Sequence, residues 1–209
     1  MRYAQQMASR MPSSMSLPSE FYALFDWMEV NSFFMPSNAY PDDKLGLLGT
    51  KDDIQSGRVT AILFRVATRE QAYDDLKAWF GQALTNIEDR LVPFARTGSD
   101  GSYAAFWLDD DGRQQIVHLG SEGLACLLGR TALDFLCLLA IGYEEISGEC
   151  LDGPNSPPHK TGLNVSYRAW LTERFGVGIP KTASQILDEI PDDAADVSND
   201  PFWRWVRTR

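Results

Sequence analysis

The sequence predicts a single domain of the α+β class, and three observations support that prediction. Apolar residues make up 44% of the 209 residues, and six residues are tryptophan, which is enough apolar surface for a sizeable core. Two runs of strand-forming residues flank an Asp-Gly turn, a pattern typical of a β-hairpin. A long apolar stretch that opens with a helix-capping threonine follows the hairpin.

The N-terminal third predicts a leader, a helix, a loop and a strand. Residues 1–18 contain no continuous apolar run, which indicates a flexible leader and not a secretory signal. Apolar residues recur at helical spacing from Glu20 to Phe34, with Ser19 placed as the N-cap. The segment Met35–Gly57 holds two prolines and three glycines and predicts a loop. Arg58–Val66 is rich in β-branched residues and predicts a strand.

The middle of the chain predicts alternating helices and strands. A capping-box pattern opens a helix from Thr68 to Gly81, and a second short helix covers Thr85–Arg90. Leu91–Ala95 predicts a strand in which Pro93 lies at a sheet edge or a strand end, since proline donates no ladder hydrogen bond.

The clearest local pattern is a hairpin followed by a buried helix. Strands are predicted over Ser102–Leu108 and Arg113–Leu119, joined by the acidic turn Asp109–Gly112. A helix then runs from its cap Thr131 to Ile141. This helix is apolar almost all round, so we expect it in the middle of a core.

Prolines between residues 151 and 159 predict a boundary. The resulting division is a leader (1–18), an α+β domain (19–150) and a helical C-terminal extension (151–209) packed on the same domain. The extension predicts three short helices, at Asn164–Phe175, Thr182–Ile190 and Asp200–Arg207.

Charge and cysteine content limit the possible partners. The net charge is −10 and the sequence pI is about 4.6, which disfavours nucleic acid and anionic membranes because phosphates are repelled. The three cysteines are widely spaced, so we expect neither a zinc site nor a disulfide framework, and a reducing cytoplasm fits. No stretch is long enough to span a bilayer.

No catalytic residue, metal site or cofactor is predicted. The aspartates of the turn are adjacent, whereas a calcium loop needs oxygens at alternate positions. His118 lies on the strand face opposite Val117 and Leu119, which indicates a surface or hydrogen-bonded histidine. Ser121 lacks the first glycine of a nucleophile elbow, and flanking glycines that permit left-handed turns explain its loop better.

Acidic residues are the candidate contacts with a partner. Two acidic runs, at 144–152 and 188–200, suit either a solvated face or the steering of a basic partner. The candidate partner-binding residues are Asp109, Asp110, Asp111, Glu122, Glu144 and Glu145. For each of them the alternative is plain solvation.

The order of these motifs resembles the bacterial branch of the SUKH superfamily, which groups Syd, the yeast cell-wall-synthesis regulators and many bacterial proteins. The resemblance rests on a strand ending in Ala105-Phe106-Trp107, the acidic turn, the string from Val117 to Gly123, and the string from Asp134 to Glu145. Trp170-Leu171, Ile179-Pro180-Lys181 and Asp200-Pro201-Phe202-Trp203 extend it towards the C-terminus.

This resemblance implies a central, mainly antiparallel sheet packed against helices, and a binding protein without catalytic activity. Many bacterial members look like immunity proteins, which neutralise a cognate toxin, often a nuclease, delivered between competing cells. We therefore expect a monomer or weak dimer that binds a protein partner, possibly a basic toxin domain, in the cytoplasm. The alternatives are an intracellular regulatory module without a toxin partner and a hydrolase that uses His118.

Overall fold

The computed structural model describes residues 1–37, 44–98, 101–147, 163–189 and 197–209. The strands of these ranges form one antiparallel sheet in which spatial order follows chain order, and the predicted α+β class is confirmed. The strands are β1 (Phe34–Pro36), β2 (Lys44–Gly46), β3 (Leu63–Phe64), β4 (Leu91–Arg96), β5 (Tyr103–Leu108), β6 (Gln114–Leu119) and β7 (Ala125–Gly129). The helices are α1 (Tyr3–Arg10), α2 (Ser19–Val30), α3 (Lys51–Gln55), α4 (Arg69–Phe80), α5 (Ala132–Ile141), α6 (Val165–Phe175) and α7 (Pro201–Arg207), with short 3-10 helices at Ile87–Asp89 and Ala183–Gln185.

Helices α4 and α5 begin and end where their capping residues predict. Thr131 accepts a hydrogen bond from Asp134 N, and α5 stops at Gly142, whose φ is 101°. A glycine there avoids the strain that a side chain suffers at positive φ. Thr68 caps α4 in the same way. Helix α2 is the exception, because its N-cap is Pro18 and not Ser19.

The predicted hairpin is confirmed as β5 and β6, with Tyr103 opposite Leu119 and Leu108 opposite Gln114. Pro93 does not lie at an edge: β4 is an interior strand, paired on both sides. The register shifts between Pro93 and Ala95, and such a bulge accommodates a residue that cannot donate to the ladder.

Several strands lie where the sequence predicted loops or longer elements. β2, helix α3 and all of β1 except Phe34 fall within the predicted loop Met35–Gly57. The strand expected over Arg58–Val66 is reduced to two residues. β7 was not predicted. Its residues are buried on both faces of the sheet, so they form an apolar run without the alternation that marks a half-exposed strand.

Helices cover both faces of the sheet and create two hydrophobic cores. The front core packs α1, α2, α5 and α6 on one face around a cluster of phenylalanines, with the Phe94 and Phe106 ring centroids 4.3 Å apart. The back core packs α4 and α7 on the other face. There the Trp107 ring lies 5.2 Å from Phe202.

The expected flexible leader over residues 1–18 is wrong, because residues 3–10 form helix α1 and Met15 and Leu17 are buried in the front core. Tyr3, Ala4 and Met7 are buried in the front core, and the Tyr3 hydroxyl donates to the Phe64 carbonyl at 2.8 Å. Three apolar contacts spaced along one helix face are enough to hold it, although no continuous apolar run marks it in the sequence.

The C-terminal helices contribute to both cores. The predicted boundary at residue 150 lies outside the described residues. Beyond it, the Tyr167 hydroxyl of α6 donates to the Leu136 carbonyl of α5 at 2.8 Å, and α7 joins the back core. The helix predicted from residue 182 is only a 3-10 turn in the described part, because Gln185 Oε1 accepts from Lys181 N and does not complete a cap at Thr182.

Candidate interaction surface

The six acidic residues predicted to bind a partner do not lie on one surface. Asp109, Asp110 and Asp111 lie in the turn between β5 and β6, whereas Glu122 lies in the turn between β6 and β7. The two turns are at opposite ends of a hairpin whose strands have six residues each, which separates them by about 17 Å. A partner that contacts one group does not necessarily reach the other.

Asp109 is a structural residue of its turn. It is only 7% exposed, and its carboxylate accepts hydrogen bonds from Asp111 N, Arg113 N, Arg113 Nε and Gln115 Nε2 at 2.7–3.0 Å. Burial alone raises the pKa of a carboxyl, but the hydrogen bonds from Arg113 outweigh it and hold the pKa of Asp109 below its ordinary value. This carboxylate has little capacity left for a partner.

Arginines neutralise the other two aspartates of the turn. Asp110 accepts from Arg90 Nη2 at 2.7 Å and lies 3.8 Å from Arg209 Nη2, while Asp111 pairs with Arg113. The hydrogen bond from Arg90 holds the pKa of Asp110 below its ordinary value. Three carboxylates therefore face three guanidinium groups, so the turn is not the acidic surface that its sequence indicates.

The remaining candidates lie at the opposite end of the sheet. The carboxylate of Glu122 folds over Gly120, where a methyl group would lie 2.6 Å from Oε2. Glu144 is exposed and Glu145 is half-buried, just beyond the C-terminus of α5. The backbone of this segment is fixed, since Ala61 N donates to the Glu144 carbonyl at 2.8 Å and Ile146 N to the Thr97 carbonyl at 2.9 Å.

His118 is fully buried, so the surface location considered for it is wrong. Val117 and Leu119 belong to the back core, and strand alternation directs His118 to the front face as predicted. Its neighbours on the adjacent strands are Ala104 and Cys126. A base without solvent exposure cannot touch a substrate in this conformation, so the hydrolase alternative gains no support from it.

The loop that contains Ser121 is a β-turn held by its own backbone. Gly120 N donates to the Leu124 carbonyl at 2.8 Å, and Gly123 N to the Gly120 carbonyl at 3.0 Å. Gly123 has a φ of 96°, so the left-handed turn expected from the flanking glycines is confirmed there. It is wrong for Gly120, whose φ is not positive. Within the described ranges, no group of three or more potential metal ligands is found.

A row of aromatic side chains crosses from α2 to α6 and is the most distinctive apolar feature of the described surface. It consists of Phe33, Trp27, Trp170 and Phe175, all half-buried. Successive ring centroids are 5.1, 5.2 and 5.8 Å apart. We call these four residues the aromatic row.

Exposed apolar and charged residues lie on the two helices that carry the aromatic row. Val30, one helical turn from Trp27, is 85% exposed, and Asp26 and Glu173 are exposed on the same two helices. The Arg174 guanidinium already lies over the Phe175 ring, 5.6 Å from its centroid. Large aromatic side chains with exposed faces are enriched in protein interfaces and bind cationic groups.

The aromatic row was not predicted from the sequence. Only the α2 part of it is indicated there, by apolar residues that fall outside the buried stripe of the helix. The buried stripe of α2 is Phe21, Leu24, Phe25 and Met28. Trp27 and Val30 fall outside that stripe, and apolar residues off the buried face of a helix are candidates for a second interface. No local pattern places Trp170 beside Trp27.

Most of the excess negative charge belongs to residues outside the described ranges. Eight of the 29 acidic residues but only one of the 19 basic ones, Lys160, fall there. Those residues therefore account for seven of the ten net negative charges. Among the described residues, no helix is both long and apolar enough to cross a bilayer.

No protein-family model matches this chain, and it has no significant match among curated proteins or solved structures. The resemblance to the SUKH superfamily therefore stays a prediction.

Proposed function

We propose that this chain is a non-catalytic binding protein of the immunity type, which neutralises a basic toxin domain by covering it. The observation that carries the proposal is the aromatic row, a half-buried apolar surface between two helices of a rigid core. Its residue types are those that contribute most to protein–protein affinity.

The charge of the chain favours a basic partner. A net charge of −10 attracts a cationic protein and accelerates its association, while contact at short range decides affinity. Aromatic faces bind arginine and lysine side chains, as Arg174 on Phe175 already illustrates within the chain. The aromatic row and the negative charge thus both favour a partner that presents arginine and lysine side chains.

The aromatic row is a better contact surface than the predicted acidic turn. The aspartates of the turn are satisfied by arginines of the same chain, and an exposed pair of this kind gains little on binding. Val30, by contrast, exposes an apolar side chain with nothing to cover it in the described part of the chain. Burial of such a side chain contributes roughly 1.5–3 kcal/mol.

The test is co-expression and binding with the toxin domain encoded beside this chain. The wild-type chain is expected to protect cells and to bind the toxin, and Val30→Lys is expected to weaken binding at least about tenfold, because it places a like charge against a basic partner. The control is Val197→Lys, since Val197 is 83% exposed and precedes α7, which packs in the back core, whereas the aromatic row packs against the front core. Binding is measured by calorimetry and protection by cell survival.

Each outcome separates the proposal from its alternatives. Toxin killing that continues unimpaired in the presence of the wild-type chain contradicts the immunity function. Equal loss of binding in Val30→Lys and Val197→Lys contradicts the placement of the interface. Capture of a chromosomally encoded regulator in place of a toxin favours the regulatory module.

A further inference from the structure

A groove separates helix α1 from the hairpin of β1 and β2. Its volume is about 770 Å³, within the range of natural small-molecule sites. Tyr3, Phe34 and Val66 supply its apolar lining, and Arg10, Lys44 and Glu29 are charged residues that line it. We call it the α1 groove.

The α1 groove has a rigid aromatic wall. The Tyr3 ring lies 5.1 Å from the Phe34 ring and 4.9 Å from the buried Phe25. The Tyr3 hydroxyl is fixed by its hydrogen bond to the Phe64 carbonyl. Because the half-buried Phe34 ring is held from behind by the buried Tyr3 and Phe25 rings, a flat ligand can pack against Phe34 without rearrangement.

Two basic side chains line the α1 groove. Arg10 and Lys44 are exposed, and among the described residues neither has an ion-pair partner. Their two positive charges outnumber the single negative charge of Glu29 in the lining. This leaves a local positive potential beside the aromatic wall.

The acidic residue of the groove is already engaged. Glu29 Oε1 accepts a hydrogen bond from Tyr3 N at 2.6 Å, at the first turn of α1, where the helix dipole favours a negative charge. The carboxylate thus stabilises the start of α1 and is not paired with Arg10 or Lys44.

We propose that the α1 groove binds a small organic anion that has a flat apolar body, with Arg10 and Lys44 holding the charged group and Phe34 and Val66 packing against the body. This site is separate from the aromatic row and does not depend on the proposed toxin binding.

The test compares two probes of the same shape and different charge. The anionic probe is 1-anilinonaphthalene-8-sulfonate, and the uncharged probe is N-phenyl-1-naphthylamine. We expect the folded full chain to bind the sulfonate more tightly, and Arg10→Gln or Lys44→Gln to weaken sulfonate binding about threefold to tenfold through loss of one charge pair near the surface. The affinity for the uncharged probe is expected to stay the same in both variants.

Two further variants make the test specific. Lys51→Gln removes an exposed lysine outside the groove and is the matched control for net charge. Ser9→Trp adds an aromatic side chain at the exposed rim of the groove and is expected to abolish binding of both probes. Circular dichroism and the melting temperature confirm that each variant is folded.

The proposal is overturned by any of three results: equal binding of the two probes to the wild-type chain, an equal effect of Lys51→Gln and Lys44→Gln, or unchanged binding in Ser9→Trp. Val30→Lys is expected to leave probe binding intact, so failure of the toxin experiment and failure of this one are distinguishable.

Discussion

The carboxylate of Asp200 accepts a hydrogen bond from Leu127 N at 2.8 Å and thereby joins helix α7 to the edge strand β7. Its other oxygen accepts from Phe202 N and Trp203 N at 2.9 and 2.8 Å. One side chain thus caps a helix and blocks a sheet edge that otherwise offers an unpaired backbone donor.

Burial governs the ionisation of Asp200. Burial raises the pKa of this carboxyl above its ordinary value, and the three backbone hydrogen bonds oppose that rise without cancelling it. The folded state therefore binds the proton more tightly than the unfolded chain does. The contribution of Asp200 to stability falls as pH rises from 3.8 through the raised folded-state pKa.

The first prediction concerns Asp200→Ala, which removes three hydrogen bonds and leaves buried N–H groups without acceptors. We expect the free energy of unfolding at neutral pH to fall by about 1–3 kcal/mol, measured by urea denaturation. Asp188→Ala is the control, because Asp188 is exposed and pairs with Arg130 only at the surface. A loss of similar size in the control contradicts the structural role given to Asp200.

The second prediction compares two aspartates of the same turn. Asp109→Ala is expected to lower the free energy of unfolding by about 2–3 kcal/mol, because it leaves the turn donors unsatisfied. Asp111→Ala is expected to change it by less than about 0.5 kcal/mol, since the pair of Asp111 with Arg113 is exposed. Chemical denaturation of both variants measures the difference, and equal losses disprove the assignment.

The third prediction is a loss of stability in acid that depends on Asp53. The hydrogen bonds from the Thr50 side chain and backbone, and then the one from Arg58, lower the pKa of Asp53 from 3.8 to about 2. A lowered folded-state pKa means that the stabilisation is present above pH 3.8 and is lost as pH falls towards 2.

Asp53→Asn removes this carboxylate from the capping box of α3. The variant is expected to be less stable than wild type by about 1 kcal/mol at pH 6, and the gap is expected to close as pH falls to about 2. Urea denaturation at several pH values measures the free energy of unfolding of the wild type and of the variant as a function of pH. A gap that is independent of pH rules out the ionised carboxylate as its cause.

The fourth prediction concerns the cysteines. Cys126 is fully buried, and burial raises the pKa of its thiol well above the ordinary value; Cys137 is also buried and its pKa is raised for the same reason. Only a thiolate attacks a disulfide reagent readily. In a Cys150→Ser variant, both remaining thiols are expected to react with Ellman's reagent on unfolding and not in the native state. Fast reaction in the native state contradicts their burial.

The fifth prediction tests the docking of helix α1. Met7 is 1% exposed in the front core, so Met7→Ala is expected to lower the free energy of unfolding by about 2–5 kcal/mol. The control position is Ser9, which is exposed on the same helix and, unlike Gln5, does not belong to its cap. Ser9→Ala is expected to change stability by less than about 0.5 kcal/mol. Comparable losses in the two variants contradict the buried face of α1.

The sequence by itself determined the features that depend on neighbouring residues. The cap of α5 is a contact between Thr131 and Asp134, the turn of the β5–β6 hairpin needs only four consecutive residues, and α7 begins with Asp200 and Pro201. Hydrogen bonds of this kind close within one turn of the backbone, so the pattern of residues reveals them before the fold is known.

Only the tertiary structure decided which of those elements face each other and what each charged side chain does. Three adjacent aspartates look alike in the sequence. The folded hairpin buries Asp109 and brings Arg113 and Gln115 to its carboxylate, whereas Asp111 stays exposed. Helix α1 was missed because its stability comes from helices and strands distant in the chain. Strand β7 was missed because burial on both faces removes the alternation that marks a half-exposed strand. Trp27 and Trp170 meet only because α2 and α6 pack on one face of the sheet, and packing of that kind depends on long-range burial that no short pattern of residues specifies.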